Sequence, residues 1–162
     1  LSLKNIHLYN NEGHIKKYNN LPEIFDEFYS ERYSLYVKRK KYILDNLRNE
    51  LIILQAKERF INDVMYDNIV IYKRKKSEII QDLFKMQMLQ VSGGRVVHEI
   101  DNNENTVNYD YLIKMSLYLF TEDEIEKLEK GINRLQDEYS ELEKKTIEEI
   151  WIGECDKLLK YL

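Results

Sequence analysis

The sequence predicts a mainly α-helical chain: a long antiparallel two-helix coiled-coil arm with a small globular helical tip, and a short β-hairpin at its N-terminal base. Three observations predict it. The run from Leu21 to Asp67 holds the chain's single proline, near its start, and no glycine. As one helix it would be roughly 70 Å long at ~1.5 Å per residue, longer than a compact domain of this size is wide. Its downstream half carries a heptad seam of Leu44, Leu47, Leu51, Leu54, Glu58, Ile61 and Met65. A second seam follows in Ile125, Leu128, Ile132, Leu135, Tyr139 and Leu142, again spaced three and four. Run antiparallel, the two registers match. Met65 then faces Ile125, Ile61 faces Leu128, Leu54 faces Leu135, Leu51 faces Tyr139, and Leu47 faces Leu142.

In chain order, residues 1–20 form the base. Ile6 to Tyr18 alternate like strands around Asn10-Asn11-Glu12-Gly13, where glycine supplies the freedom a tight turn needs. Asn20 caps the outgoing helix, residues 21–68, and Pro22 sits in its first turn, where a missing N–H costs nothing. Its upstream half is rich in aromatics (Phe25, Phe28, Tyr29, Tyr33, Tyr36, Tyr42), too many for a two-helix seam, so the base is expected to pack into a larger body. Residues 69–120 form the tip. Within it Ile69-Val70-Ile71-Tyr72 reads as a short strand or a frayed helix end. Ser77 caps a helix with Ile79, Ile80, Leu83 and Phe84 on its apolar face. Residues 92–108, polar and Asn-rich, read as a loop. Thr121 with Glu124 makes a capping box for the return helix, residues 121–145. Thr146 with Glu149 makes another for a terminal helix, residues 146–162, which carries Trp151 and docks at the base.

Composition narrows function. Gly and Pro number only 5 and 1 in 162 residues, which suits long helices with few turns. A net charge of −4 gives no global basic signature of a nucleic-acid binder. Cys155 is the only cysteine, so no intrachain disulfide forms and a reducing compartment is the simpler assumption. No apolar run approaches the ~20 residues that span a bilayer, so no membrane partner is expected. The start, LSLKNIHLYN, has neither an initiator Met nor a signal pattern and reads as part of a longer protein.

Catalytic motifs are missing from this reading. His7, His14 and His98 lack metal-ligand spacing, and no metal site is expected. Asp101-Asn102-Asn103-Glu104-Asn105 starts like a calcium loop, but Thr106 replaces the required Gly and Leu112 the bidentate Glu. Two basic runs, Lys38-Arg39-Lys40-Lys41 and Lys73-Arg74-Lys75-Lys76, read as solvated helix faces, with DNA contact as the alternative. The stretch from Tyr109 to Phe120 is more apolar than a small tip can bury. It predicts a partner surface, most simply for a second copy across a two-fold axis. The alternative is that Ile79, Ile80, Leu83 and Phe84 cover it within one chain.

These segments carry a family resemblance: NIHLYNNEGHIKKYNNLPEIFDEFYSERYSLYVKRKKYIL, then RKKSEII, then YDYLIKMSLYLFTEDEIEKL, then the acidic return helix and EEIW. Their order resembles the C-terminal part of the breakage-reunion region of type IIA DNA topoisomerases of the eukaryotic or large-virus kind. The resemblance implies a coiled-coil arm whose tip meets that of a second copy to make the exit gate of an ATP-dependent enzyme, an isomerase, that passes one duplex through a break in another. By position Tyr111, Leu112, Met115, Leu117 and Tyr118 are the implied gate contacts, with Ile79 and Ile80 beneath or beside them. The nucleophilic tyrosine, magnesium site and ATP site would lie upstream, so the segment itself would hold no catalytic residue and no cofactor. DNA would be contacted mainly by those upstream domains, with Lys38, Arg39, Lys40 and Lys41 as possible DNA-facing groups here. An intracellular location follows, nuclear in a eukaryote. Ser116 and Tyr118 stand where the family commonly has Pro and Trp, and Gly153-Glu154-Cys155 where an Asp-Leu pair is usual. Two rivals are a non-enzymatic antiparallel coiled-coil spacer arm from another assembly, and a tRNA- or DNA-clasping arm. The first leaves the hairpin, RKKSEII and tip motif unexplained together; the second conflicts with the acidic return helix.

Overall fold

The computed structural model describes residues 5–97 and 108–161. They are mainly helical and fall into two compact units, one from the residues up to Ile43 and from Leu142 onward, the other from Leu44–Glu141.

The first unit opens with strands β1 (Ile6–Tyr9) and β2 (Ile15–Tyr18), paired antiparallel with Ile6 opposite Tyr18 and Tyr9 opposite Ile15. The turn between them closes as its residues dictate. The Asn10 side-chain oxygen accepts from the amides of Glu12 and His14, and Gly13 takes a φ of +79° that a side chain would strain. Tyr18 is buried, and its hydroxyl reaches the Glu27 carboxylate, which Lys16 also pairs at 2.9 Å. Helix α1 (Leu21–Met65) starts where Asn20 predicts, its Oδ1 accepting from the Glu23 amide at 3.0 Å. Helix α5 (Ile147–Leu159) starts on the Thr146–Glu149 capping box, with both reciprocal bonds formed. Such caps are worth about 1 kcal/mol each. Trp151 on α5 stacks against Tyr29 and Tyr36 of α1, centroids 5.3 Å away in both cases, and meets Phe28 edge-on. Several of the aromatics too numerous for a seam therefore form a ring stack, although Phe28 and Tyr29 within it, like Phe25 and Tyr42, stay exposed.

The second unit contains the rest of α1, then α2 (Lys76–Lys85), β3 (Val91–Ser92), β4 (Arg95–Val96), α3 (Asp110–Ile113), a 3₁₀ turn (Leu117–Phe120) and α4, which spans Glu122–Lys144 and leaves the unit at Glu141. Its core is Phe60, Ile69, Ile79, Leu83, Met88, Tyr109 and Leu112. Phe120 meets Phe60 edge-on from the side. Of the seam residues, Leu51, Ile61 and Ile132 are buried, while Leu47, Leu54, Ile125, Leu128, Leu135 and Tyr139 are half-buried; in the first unit, Leu142 is half-buried too. Met65 and Ile125 line one cleft with Asn62 and Glu126.

Four expectations are corrected. Ile69-Val70-Ile71-Tyr72 is neither strand nor helix. Asp67 enters the left-handed region (φ +57°), and the Ile69 amide bonds back to the Asp63 carbonyl, so the chain leaves the helix and buries Ile69 in the core. Ser77 is not the cap of α2. The helix begins two residues earlier, with Lys75 at the N-cap and Arg74 tied to the Val70 carbonyl, Asp82 and Glu78. The stretch from Ser92 is not simply loop. Gly93 and Gly94, both at positive φ, turn a two-residue hairpin that joins β3 to β4, and the Asn49 side chain clamps it through the Gly94 carbonyl and the Val96 amide. The Thr121–Glu124 capping box does not form: the Thr121 hydroxyl donates back to the Tyr118 carbonyl, the Glu124 amide reaches the Thr121 backbone carbonyl, and the Glu124 carboxylate pairs with Lys127. The calcium-like residues Asp101–Asn105 and His98 lie outside the described residues.

Candidate functional site

The stretch predicted to meet a partner separates into covered and uncovered halves. α3 is a single helical turn whose Leu112 is 1% exposed, inside the core beside Ile79 at 7%. Neither has surface to offer a second copy in this conformation. Tyr111 is partly buried, its hydroxyl donating to the Leu89 carbonyl at 2.7 Å, and burial pushes its pKa well above the ordinary phenol value. Ile80 and Met115 are half-buried against the core. The next residues differ. Ser116 caps the 3₁₀ turn through its hydroxyl, and Thr121 closes its other end, so the backbone is satisfied without burying the side chains. Leu117 is 81% exposed and Tyr118 61%.

Beside Leu117 opens an apolar cavity of about 140 Å³ whose walls include Phe60, Ile79, Leu112, Met115 and Phe120. Its volume is about that of a cavity that holds benzene. Charges flank the turn. Asp110 accepts ion pairs from Lys76 at 2.9 Å and Lys114 at 2.7 Å, and these two ammonium groups hold its pKa down at about 2. Glu124 is held below the usual carboxylate range, first by Lys127 and also by the Tyr118 hydroxyl. The arrangement contains no nucleophile–base pair. What it can do chemically is bind another surface.

The basic runs are partly committed within the chain. Arg39 pairs with Glu154 at 2.8 Å, and the same carboxylate accepts the Tyr36 hydroxyl. Lys40 donates to the carbonyls of Glu143 and Lys145, which closes the end of α4. Lys38 and Lys41 remain exposed. In the second run, Arg74 and Lys76 are ion-paired, and Lys73 and Lys75 are exposed. His7 and His14 are exposed, and among the described residues no group of three His, Cys, Asp or Glu could hold a metal. Residue-by-residue inspection overlooks the Glu154 and Asp110 clusters. The four-residue spacing of Asp110 and Lys114 is a local signal for one; nothing local signals Glu154, whose partners lie more than a hundred residues away.

Comparison with known proteins places the chain in context. The family of the DNA gyrase/topoisomerase IV A protein matches residues 1–156. The chain is 35% identical over 99% of its length to the DNA topoisomerase 2 of Acanthamoeba polyphaga mimivirus, and 27% identical over its full length to that of Arabidopsis thaliana. It spans 12% and 13% of those two proteins. Its fold is similar to part of the Plasmodium falciparum topoisomerase II DNA-binding, cleavage and re-ligation domain, with a TM-score of 0.83 and 24% identity over 99% of this chain and 23% of that one.

Proposed function

Because the chain belongs to the type IIA DNA topoisomerases, the family of the gyrase and topoisomerase IV A proteins, we propose that it is the exit-gate segment of such an enzyme. In this reading α1 and α4 wind as an antiparallel coiled-coil arm. Residues 69–120 are its tip, and two tips meet across a two-fold axis in a homodimer. The parent enzyme passes one duplex through a transient break in another. ATP and magnesium act in other parts of it, which also make most of the DNA contacts. It works inside the cell, in the nucleus if the source is a eukaryote.

The observation that carries the gate reading is the Leu117–Tyr118 pair. Two large apolar side chains stand exposed on a turn whose backbone needs no partner, beside a cavity that could take an apolar group. A contact of modest area would suit a gate that must hold while DNA is cut and then part. Lys38 and Lys41 are the cations of the first basic run left for DNA.

The test is sedimentation equilibrium of the chain over a wide concentration range, wild type against Leu117→Glu. Leu117 suits this better than Met115, because Met115 packs on the core and its replacement would also disturb that packing. A reversible wild-type dimer, weakened at least tenfold by Leu117→Glu with helical signal unchanged, is the expected result. A variant that dimerises as tightly as wild type overturns the placement of the gate.

A further inference from the structure

The cavity beside Leu117 is the size of one leucine side chain. Truncating a buried leucine to alanine in a close-packed core leaves about 150 Å³, and this space measures about 140 Å³. Phe60, Ile79 and Leu112 wall it from within the core, with Ile71, Ile113 and Phe120 half-buried around them. Leu117 stands on its rim and, among the described residues, is the one exposed member of the lining, at 81%. A leucine-sized space therefore lies beside a leucine left in water. Close-packed interiors seldom keep such spaces, because the walls lose contacts, and exposed apolar surface is unfavourable as well. Both penalties end if one side chain moves.

We propose that Leu117 is retractable: its side chain exchanges between this exposed position and a second one inside the cavity. The 3₁₀ turn permits the exchange. Its backbone bonds run among residues 116–121, from the Leu119 amide to the Ser116 carbonyl and from the Thr121 amide to the Tyr118 carbonyl. The flanking Ser116 and Thr121 are both extended. The turn can therefore tilt toward the core with those bonds kept, pivoting about Phe120, whose ring already rests edge-on against Phe60. Tyr118 is not the occupant, since it does not line the cavity and its side chain is engaged with Glu124. The consequence rests on the gate reading. Only the exposed form offers Leu117 to a second copy, so the apparent affinity of the contact falls with the fraction of chains in that form.

The experiment follows the Leu117 methyl groups by nuclear magnetic resonance, assigned with Leu117→Ala, at a concentration where the chain sediments as a monomer. Retraction sets them against the rings of Phe60 and Phe120. They should then resonate upfield of an exposed leucine and show nuclear Overhauser contacts to Ile79 and Leu112. Leu117→Ala should also lower the melting midpoint by about 3 °C, whereas truncating a side chain that stays in water leaves it unchanged. Ile71→Phe fills the cavity from its wall. It should return the methyl resonances to exposed values, and in its background Leu117→Ala should no longer lower the midpoint. Wild-type methyls with the shifts of an exposed leucine, or a Leu117→Ala midpoint equal to wild type, would each overturn retraction, and neither reading needs Ile71→Phe to fold. A reversible dimer whose monomer shows exposed methyls would overturn retraction alone. A chain that stays monomeric at every concentration would overturn the gate reading, and the same methyl shifts would still decide retraction.

Discussion

The two units hold themselves together by different means. The second has an apolar core in which Phe60, Leu83 and Leu112 are almost fully removed from water. Among its described residues the first has Tyr18 and Tyr36 as buried side chains, and relies on caps, a ring stack and a cluster in which Tyr36 and Arg39 converge on Glu154. Its Phe25, Tyr42, Leu158 and Leu159 stay exposed. Burying an apolar side chain stabilises by about 1.5–3 kcal/mol, whereas a cap or an exposed ion pair contributes about 1 kcal/mol or less. The second unit therefore has the means to be the stiffer of the two, and the first owes more of its order to directional bonds.

Substitutions can break that contrast, and Leu112→Ala has the largest expected effect. It should cost about 2–5 kcal/mol, because it empties a core position with no solvent to collapse into. Urea unfolding followed by far-UV circular dichroism should show the loss. Fluorescence of Trp151, the chain's single tryptophan, reports the first unit alone and should change less. Trp151→Ala should cost about 2 kcal/mol, less than a fully buried tryptophan because the ring is only half-buried. The loss should appear as earlier melting of the first unit, followed by near-UV dichroism of its tyrosines. Thr146→Ala removes the cap of α5 and should cost about 1 kcal/mol, with Thr146→Ser recovering most of it in the same melt.

The smallest effect is that of pH on the Glu154 cluster. Tyr36 first, and Arg39 after it, hold the Glu154 carboxyl below its ordinary value. A depressed folded-state pKa gives stability that is present above the ordinary carboxylate value and lost as pH falls through the depressed one. Trp151 emission should therefore stay constant at neutral pH and shift only below about pH 4.5. In Glu154→Gln that acid shift should shrink. An unchanged shift would mean that other carboxylates govern the first unit.

Much of the fold is legible without the structure wherever the cause is local. Asn10 and Gly13 specify a turn, Asn20 specifies the start of α1, and Thr146 with Glu149 specifies the start of α5, each through groups within a few residues of one another. The lack of Gly and the placement of the lone Pro likewise determine one uninterrupted helix from Leu21, and the order of several motifs points to the family. Only the tertiary structure decided which apolar residues of the second unit face inward. Leu112 is core while Leu117 and Tyr118 are exposed, although all three read alike as apolar residues in one partner-seeking stretch. A four-residue helix or 3₁₀ turn is too short for periodicity to mark a face, so burial there depends on what distant segments bring to it. Ile69 follows the same rule: a β-branched run that looks like a strand becomes an irregular loop because the core has room for its side chain and, among the described residues, no strand pairs with its backbone.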